Sequence, residues 1–221
     1  MKKFINIIKN PKFKMISILT FLLFIYTTIC AISYAKSVSQ GLSDSVFRLH
    51  VIANSDSEED QNLKYKVRDN LIEYMNSLIP QCENKKVVIS KAQEHIEDFK
   101  QIAKNTIISE GYDYDVEVEI GNFEFPTKHY GDISFPAGFY DALKVKIGKA
   151  EGQNWWCVMF PPLCFVDIST GIVPEKSKNE MKNNMNEEEF ALISDNKNSD
   201  IQFKFKLLEF FGSHGMLTAK K

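Results

Sequence analysis

The spacing of apolar and polar residues changes several times along the chain. Met15 to Ala35, MISILTFLLFIYTTICAISYA, is 21 residues without a charge. That is long enough for a membrane-spanning helix, which needs about 20 such residues. KSVSQGLSDS, residues 36–45, reads as a polar linker. VFRLHVIA, Val46 to Ala53, is β-branched and apolar and predicts a buried strand. Asn54, Ser55, Asp56 and Ser57 are all good helix caps. A helix follows to about Leu78, before Pro80, with Leu63, Val67, Leu71, Met75 and Leu78 on one face. KKVVIS predicts a second strand, and Ser90 caps a second helix with Ile96, Phe99, Ala103 and Ile107 inside and Gly111 as terminator.

The remainder reads as β. YDYDVEVEI puts Tyr112, Tyr114, Val116, Val118 and Ile120 on one face. NFEFPTKHY pairs back on it across Gly121-Asn122. FYDALKVKIG alternates again, NWWCVMF and LCFVDI are apolar runs split by Pro161-Pro162, and IQFKFKLLEFF closes the set. Residues 171–200, rich in Asn, Lys and Glu, predict a mobile loop in which EEEFALIS forms one short helical turn. The fold class is therefore α+β. Two helices pack on a largely antiparallel sheet, behind an N-terminal signal or anchor helix. The domain spans 46–211, and 212–221 form a flexible tail.

Charge sharpens the reading of the N-terminus. Five of the 27 basic residues (Lys2, Lys3, Lys9, Lys12, Lys14) precede the apolar run, and no acid accompanies them. The other 22 face 29 acids, a net of −7 on the body, which argues against nucleic acid as a partner. Lysines on one side of the run keep that side inside and send the body outside the cytoplasm. Ser33-Tyr34-Ala35 has the small-x-small form of a cleavage site, so a cleaved signal and an uncleaved anchor both remain open. No basic amphipathic helix marks a lipid-binding module.

Candidate chemistry is sparse. A calcium loop starting at Asn54 would put Glu59 where Gly is required and Tyr65 where the bidentate Glu belongs. His50, His95, His129 and His214 are scattered, without zinc spacing. There is no P-loop and no G-x-S-x-G. Ser213 and His214 are sequence neighbours in a tail, which does not make a dyad. No cofactor is implied. Cys157 and Cys164 flank Pro161-Pro162; outside the cytoplasm they are candidates for a disulfide, with buried free thiols as the alternative. At strand spacing, one of Trp155 and Trp156 points inward and the other outward as a candidate binding anchor.

The charged run FRLHVIANSDSEEDQNLKYKVRDNL is mostly a helix cap with acids in the first turn. Arg48 and His50, however, share one face of an apolar strand. A strand buried on both sides carries such residues only when they are paired, and Asp56, Asp60 and Asp69 are the expected partners. With Asn54, Arg68 and the two tryptophans, these residues form a candidate polar network, either structural or partner-binding.

RLHVIANSDSEEDQNLKYKVRD together with FPAGFYDALKVKIGKAEGQNWWCVMFPPLCFVD resembles the stage II sporulation protein R family of endospore-forming Firmicutes, from about Phe47 to Asp167. The resemblance implies a developmental signal made in the forespore and exported into the intermembrane space. It further implies activation of a membrane-bound aspartic protease of the mother cell, which processes a pro-sigma factor. It brings no catalytic residues. An extracytoplasmic hydrolase acting on cell wall or protein is the competing expectation.

Overall fold

The computed structural model describes residues 11–79, 84–164 and 173–194. Helix α1 runs unbroken from Pro11 to Ser45. Strand β1 (Phe47–Ile52) follows. Then come α2 (Glu58–Leu78), α3 (Lys85–Glu94) and α4 (Ile96–Ser109). Next are β2 (Val116–Phe125), β3 (Lys128–Tyr130), β4 (Ile133–Phe135), β5 (Gly138–Ile147) and β6 (Asn154–Phe160). Helices α5 (Glu175–Asn184) and α6 (Glu187–Ser194) complete the described chain.

The main sheet has the order β2-β5-β1-β6. Strand β1 pairs in parallel with β5 and antiparallel with β6, and β2 pairs antiparallel with β5. The class is α+β with a mixed, open sheet. Leu49, Val51, Leu143, Val145 and Ile147 face a helical layer whose buried positions include Leu63, Val67, Leu71, Met75, Phe99, Ala103 and Ile107. The opposite face is covered at one end by the β3–β4 hairpin. Lys178 of α5 reaches Asp132 in that hairpin's turn at 2.7 Å, and α6 packs on β4.

Four local expectations give way to tertiary burial. KKVVIS is helical, not a strand: Asn84 caps α3 by accepting from Val87 N, and Lys85, Val88 and Ala92 turn a buried face inward. Strand propensity yields where a helical face has a sheet to cover. Ser90 thus lies inside α3, and α4 starts after His95. Gly121 and Asn122 do not form a turn but sit within β2, opposite Ala142 and Asp141 of β5; Tyr112 and Tyr114 precede that strand. The segment expected to be a mobile loop contains α5 and α6, which bury Met181, Leu192 and Ile193. The expected strand 201–211 and tail 212–221 lie outside the described residues, as do Cys82 and all of LCFVDI after Cys164.

Residues 36–45 are likewise no linker but the last ten residues of α1. Leu42 and, just beyond, Val46 are 0% exposed, and Val38 is 7% exposed. Ser43 Oγ donates to Phe139 O at 2.8 Å, and Lys85 Nζ donates to Ser43 O at 2.6 Å while pairing with Asp141 at 2.6 Å. Leu42→Ala in a body starting at Lys36 should therefore lower unfolding free energy by about 2–4 kcal/mol, read by chemical denaturation. A change within 0.5 kcal/mol would show that this turn is not part of the core.

Candidate functional site

The polar residues of the charged run separate into two groups at opposite ends of β1. At its C-terminal end, the β1–α2 loop clamps the β5–β6 loop. Asn54 Oδ1 accepts from Lys149 N at 3.0 Å, and Asp56 Oδ1 accepts from Gln153 N at 2.7 Å. The backbone joins in, with Gly152 N donating to Ala53 O at 3.0 Å and Glu151 N to Asn54 O at 3.2 Å. Asp60 accepts from Asn54 Nδ2 at 2.8 Å and from Ser55 Oγ, while Ser57 caps α2 through Asp60 N at 3.2 Å. Burial pushes the Asp60 carboxyl up, but the donors from Ser55, Asn54 and Tyr114 outweigh it and hold the group below its usual value. Lys64, 1% exposed, closes the clamp by donating to Gln153 O at 3.1 Å.

At the other end, Arg48 is fully buried on the sheet face away from the helices. Asp56, Asp60 and Asp69 do not reach it; Asp69 pairs with Arg68 at 2.7 Å. Instead the guanidinium carbon lies 4.1 Å from the Phe125 ring centroid, 4.8 Å from Tyr140 and 5.7 Å from Phe135. Its Nη2 donates to Tyr130 Oη at 2.8 Å, and that hydroxyl donates to Trp156 O at 3.0 Å. Nε and Nη1 have no hydrogen-bond partner among the described residues. The aromatic faces supply the attraction that a carboxylate would otherwise give. Burial keeps Tyr140 protonated, up to about 12, against the opposing pull of Arg48.

His50 lies on the same face and stacks on Trp156 at 3.6 Å between centroids. Its Nε2 is 2.7 Å from Asn154 Oδ1, which makes Nε2 the protonated nitrogen. Burial lowers its pKa to about 4; Lys144 and Arg48 add to the shift and Asn154 opposes it. The two tryptophans point to opposite faces and both are half-buried. Trp155 meets Tyr65 edge-on at 5.4 Å and lies under the Arg68 guanidinium at 4.3 Å. Of the sequence candidates, then, Arg68, Trp155 and Trp156 keep partial exposure. Arg48 and His50 are interior, and Asn54, Asp56 and Asp60 are engaged in the clamp.

Cys157 and Cys164 form a disulfide with their Cα atoms 5.4 Å apart, closed around the Pro161-Pro162 turn. No cluster of three or more His, Cys, Asp or Glu side chains suited to a metal occurs among the described residues. A Ser–His contact does occur, Ser134 Oγ to His129 Nδ1 at 2.6 Å, but Ser134 is 0% exposed and its hydroxyl is closed to a substrate. Sequence reasoning did not single out Tyr130, Phe125 or Phe135 around Arg48, or Tyr65 beside Trp155, and it read FPAGFY as a turn exposing Phe139 or Tyr140, of which Phe139 is exposed and Tyr140 buried. The alternation of FYDALKVKIG does put Tyr140 on the face opposite Leu143, so that part of the cage was readable.

A sequence model of the stage II sporulation protein R family matches residues 43–170. The chain belongs to that family. It is 40% identical over 134 residues to stage II sporulation protein R of Bacillus subtilis (strain 168). The match takes in 59% of this chain and 58% of that relative, so it spans under two thirds of the relative's length. No solved structure matches the chain. Family membership gives the protein a sporulation-related role, and its N-terminal apolar helix is compatible with a signal or an anchor. Both polar groups fall inside the matched region.

Two outcomes test this geometry. Gly152 passes so close to the Ser55 carbonyl that a methyl group there would collide with backbone. Gly152→Ala should cost about 1–3 kcal/mol, seen as a lower denaturation midpoint. For His50, a folded pKa below the unfolded 6.5 means that the unfolded chain binds more protons between pH 6.5 and about 4. The stabilisation is complete above pH 6.5 and is lost as pH falls through that window, by up to about 3 kcal/mol. Asp60 titrates below the window, so His50→Gln should flatten the slope between pH 6.5 and 4.

Proposed function

We propose that this sporulation protein is the intercompartmental signal that the family resemblance implies. It leaves the forespore through its N-terminal helix, enters the intermembrane space and activates a membrane-bound aspartic protease of the mother cell. That protease then processes the mother-cell pro-sigma factor. Family membership carries the reading, and the apolar helix with lysines on one side supports the export step. A ligand activates such a protease by binding its active state more tightly than its inactive one. We assign the contact to the Trp155–Arg68–Tyr65 patch, with Trp156 on the other sheet face as the second candidate. Tryptophan, tyrosine and arginine are the residue types that most often dominate such contacts.

The test is co-production of the full chain with the protease and its substrate in non-sporulating cells, followed by blotting for the shortened sigma factor. The wild-type chain should give processing, and deletion of residues 15–35 should abolish it. Arg68→Ala and Trp155→Tyr should reduce processing at least tenfold while the purified body keeps its fold. Arg48→Met should fold and still signal, because an apolar isostere commonly replaces a buried charge at little cost. Normal processing by both patch variants would remove the assigned surface. Absence of processing by the folded wild-type chain would remove the signalling reading and return the hydrolase alternative.

A further inference from the structure

The apolar run and the body are joined by helix, and this bears on whether the run is removed. Helix α1 has 35 residues, about 52 Å at 1.5 Å per residue, against a hydrocarbon core of about 30 Å. Its lower part exposes large apolar side chains on all sides, from Phe13 and Met15 through Phe24 to Tyr34. Its upper part is docked on the body. Val38 and Leu42 are buried, Ser43 is hydrogen-bonded to β5 and to Lys85, and Ser45 Oγ donates to Gly41 O at 2.7 Å and lies 3.5 Å from the Glu189 carboxylate of α6. Gly41 lies so close to the Glu189 carboxyl that no Cβ would fit without moving it.

Only Lys36 and Ser37 separate Ala35 from the first docked residue. A peptidase binds its substrate as an extended strand, using backbone N–H and C=O groups that a helix has already paired internally. To present Ser33-Tyr34-Ala35 in that form, the helix must unwind at a point held three residues away by the folded core. We propose that docking of residues 38–45 keeps the Ala35–Lys36 bond uncleaved, so that the exported body stays fixed to the bilayer by α1 as one rigid piece. The occupant of the exposed apolar face of α1 is thus the lipid interior, both during export and afterwards. The body is held at a set height and orientation instead of diffusing freely.

This inference uses only the export step of the proposed function, and band length is read separately from sigma-factor processing. The experiment compares two full-length chains bearing C-terminal tags in cells with an active signal peptidase. One is wild type; the other carries eight Gly/Ser residues between Lys36 and Ser37. The insertion leaves the cleavage sequence and the docked residues intact but breaks the helix between them. Wild type should run at full length and stay in the membrane fraction after alkaline extraction. The insertion variant should be shortened by the 35 residues through Ala35 and be released. Cleavage of wild type would overturn the proposal. An insertion variant that stays full length would also overturn it, because the site would then be inert for reasons unrelated to docking.

Discussion

A guanidinium sits inside this protein with no carboxylate beside it among the described residues, and the sheet is arranged around that fact. Arg48 lies on β1, which has a strand on each side and is buried along nearly its whole length. A charge there requires compensation that water cannot give. Phe125 comes from β2, Tyr140 from β5, and Tyr130 and Phe135 from the hairpin, so four separate strands meet over one side chain. The hydrogen bond from Tyr130 to the Trp156 carbonyl carries the same tie on to β6. The hairpin is held as well by its buried Ile133 and Phe135, by the Lys178–Asp132 ion pair and by α6 on β4.

The far end of β1 has a different kind of restraint. There the side chains are short and polar, and they bond to backbone. Asn54 and Asp56 accept from the main chain of the β5–β6 loop, while Asp60 fixes Asn54 and Ser55 from the first turn of α2. One loop therefore caps a helix and orders a second loop at the same time. Of the acids that look like a calcium or docking motif in sequence, Asp56 and Asp60 are occupied by donors of the same fold, while Glu58 and Glu59 are exposed.

Helix α1 runs from an apolar span of membrane-crossing length straight into the body. A helix that continues from an apolar span into a hydrophobic core has no flexible joint, because it is unbroken through Ser45 and because Val38 and Leu42 are buried in the body. The patch formed by Trp155, Arg68 and Tyr65 is thus held in a defined relation to the helix axis. Rigid presentation of a small aromatic surface lowers the ordering cost of meeting a partner.

The sequence by itself determined what depends on neighbours along the chain. The period of Leu63, Val67, Leu71 and Met75 set α2, the cap residues before it set its start, alternation set β5, and a continuous apolar run set β6. It also determined the family, because two long motifs carry it. Tertiary structure alone decided the rest. Whether KKVVIS becomes helix depends on a sheet face that needs covering, and β-branched residues do not reveal that locally. The position of β1 between β5 and β6 follows from pairings across about 100 residues. Arg48 found rings instead of acids because cage members distant in sequence converge on it, and no local spacing records such a meeting. Residues 36–45 look like a linker because only Val38 and Leu42 among them are apolar. Two buried side chains, one turn apart against a fitting groove, are enough to make them part of the body.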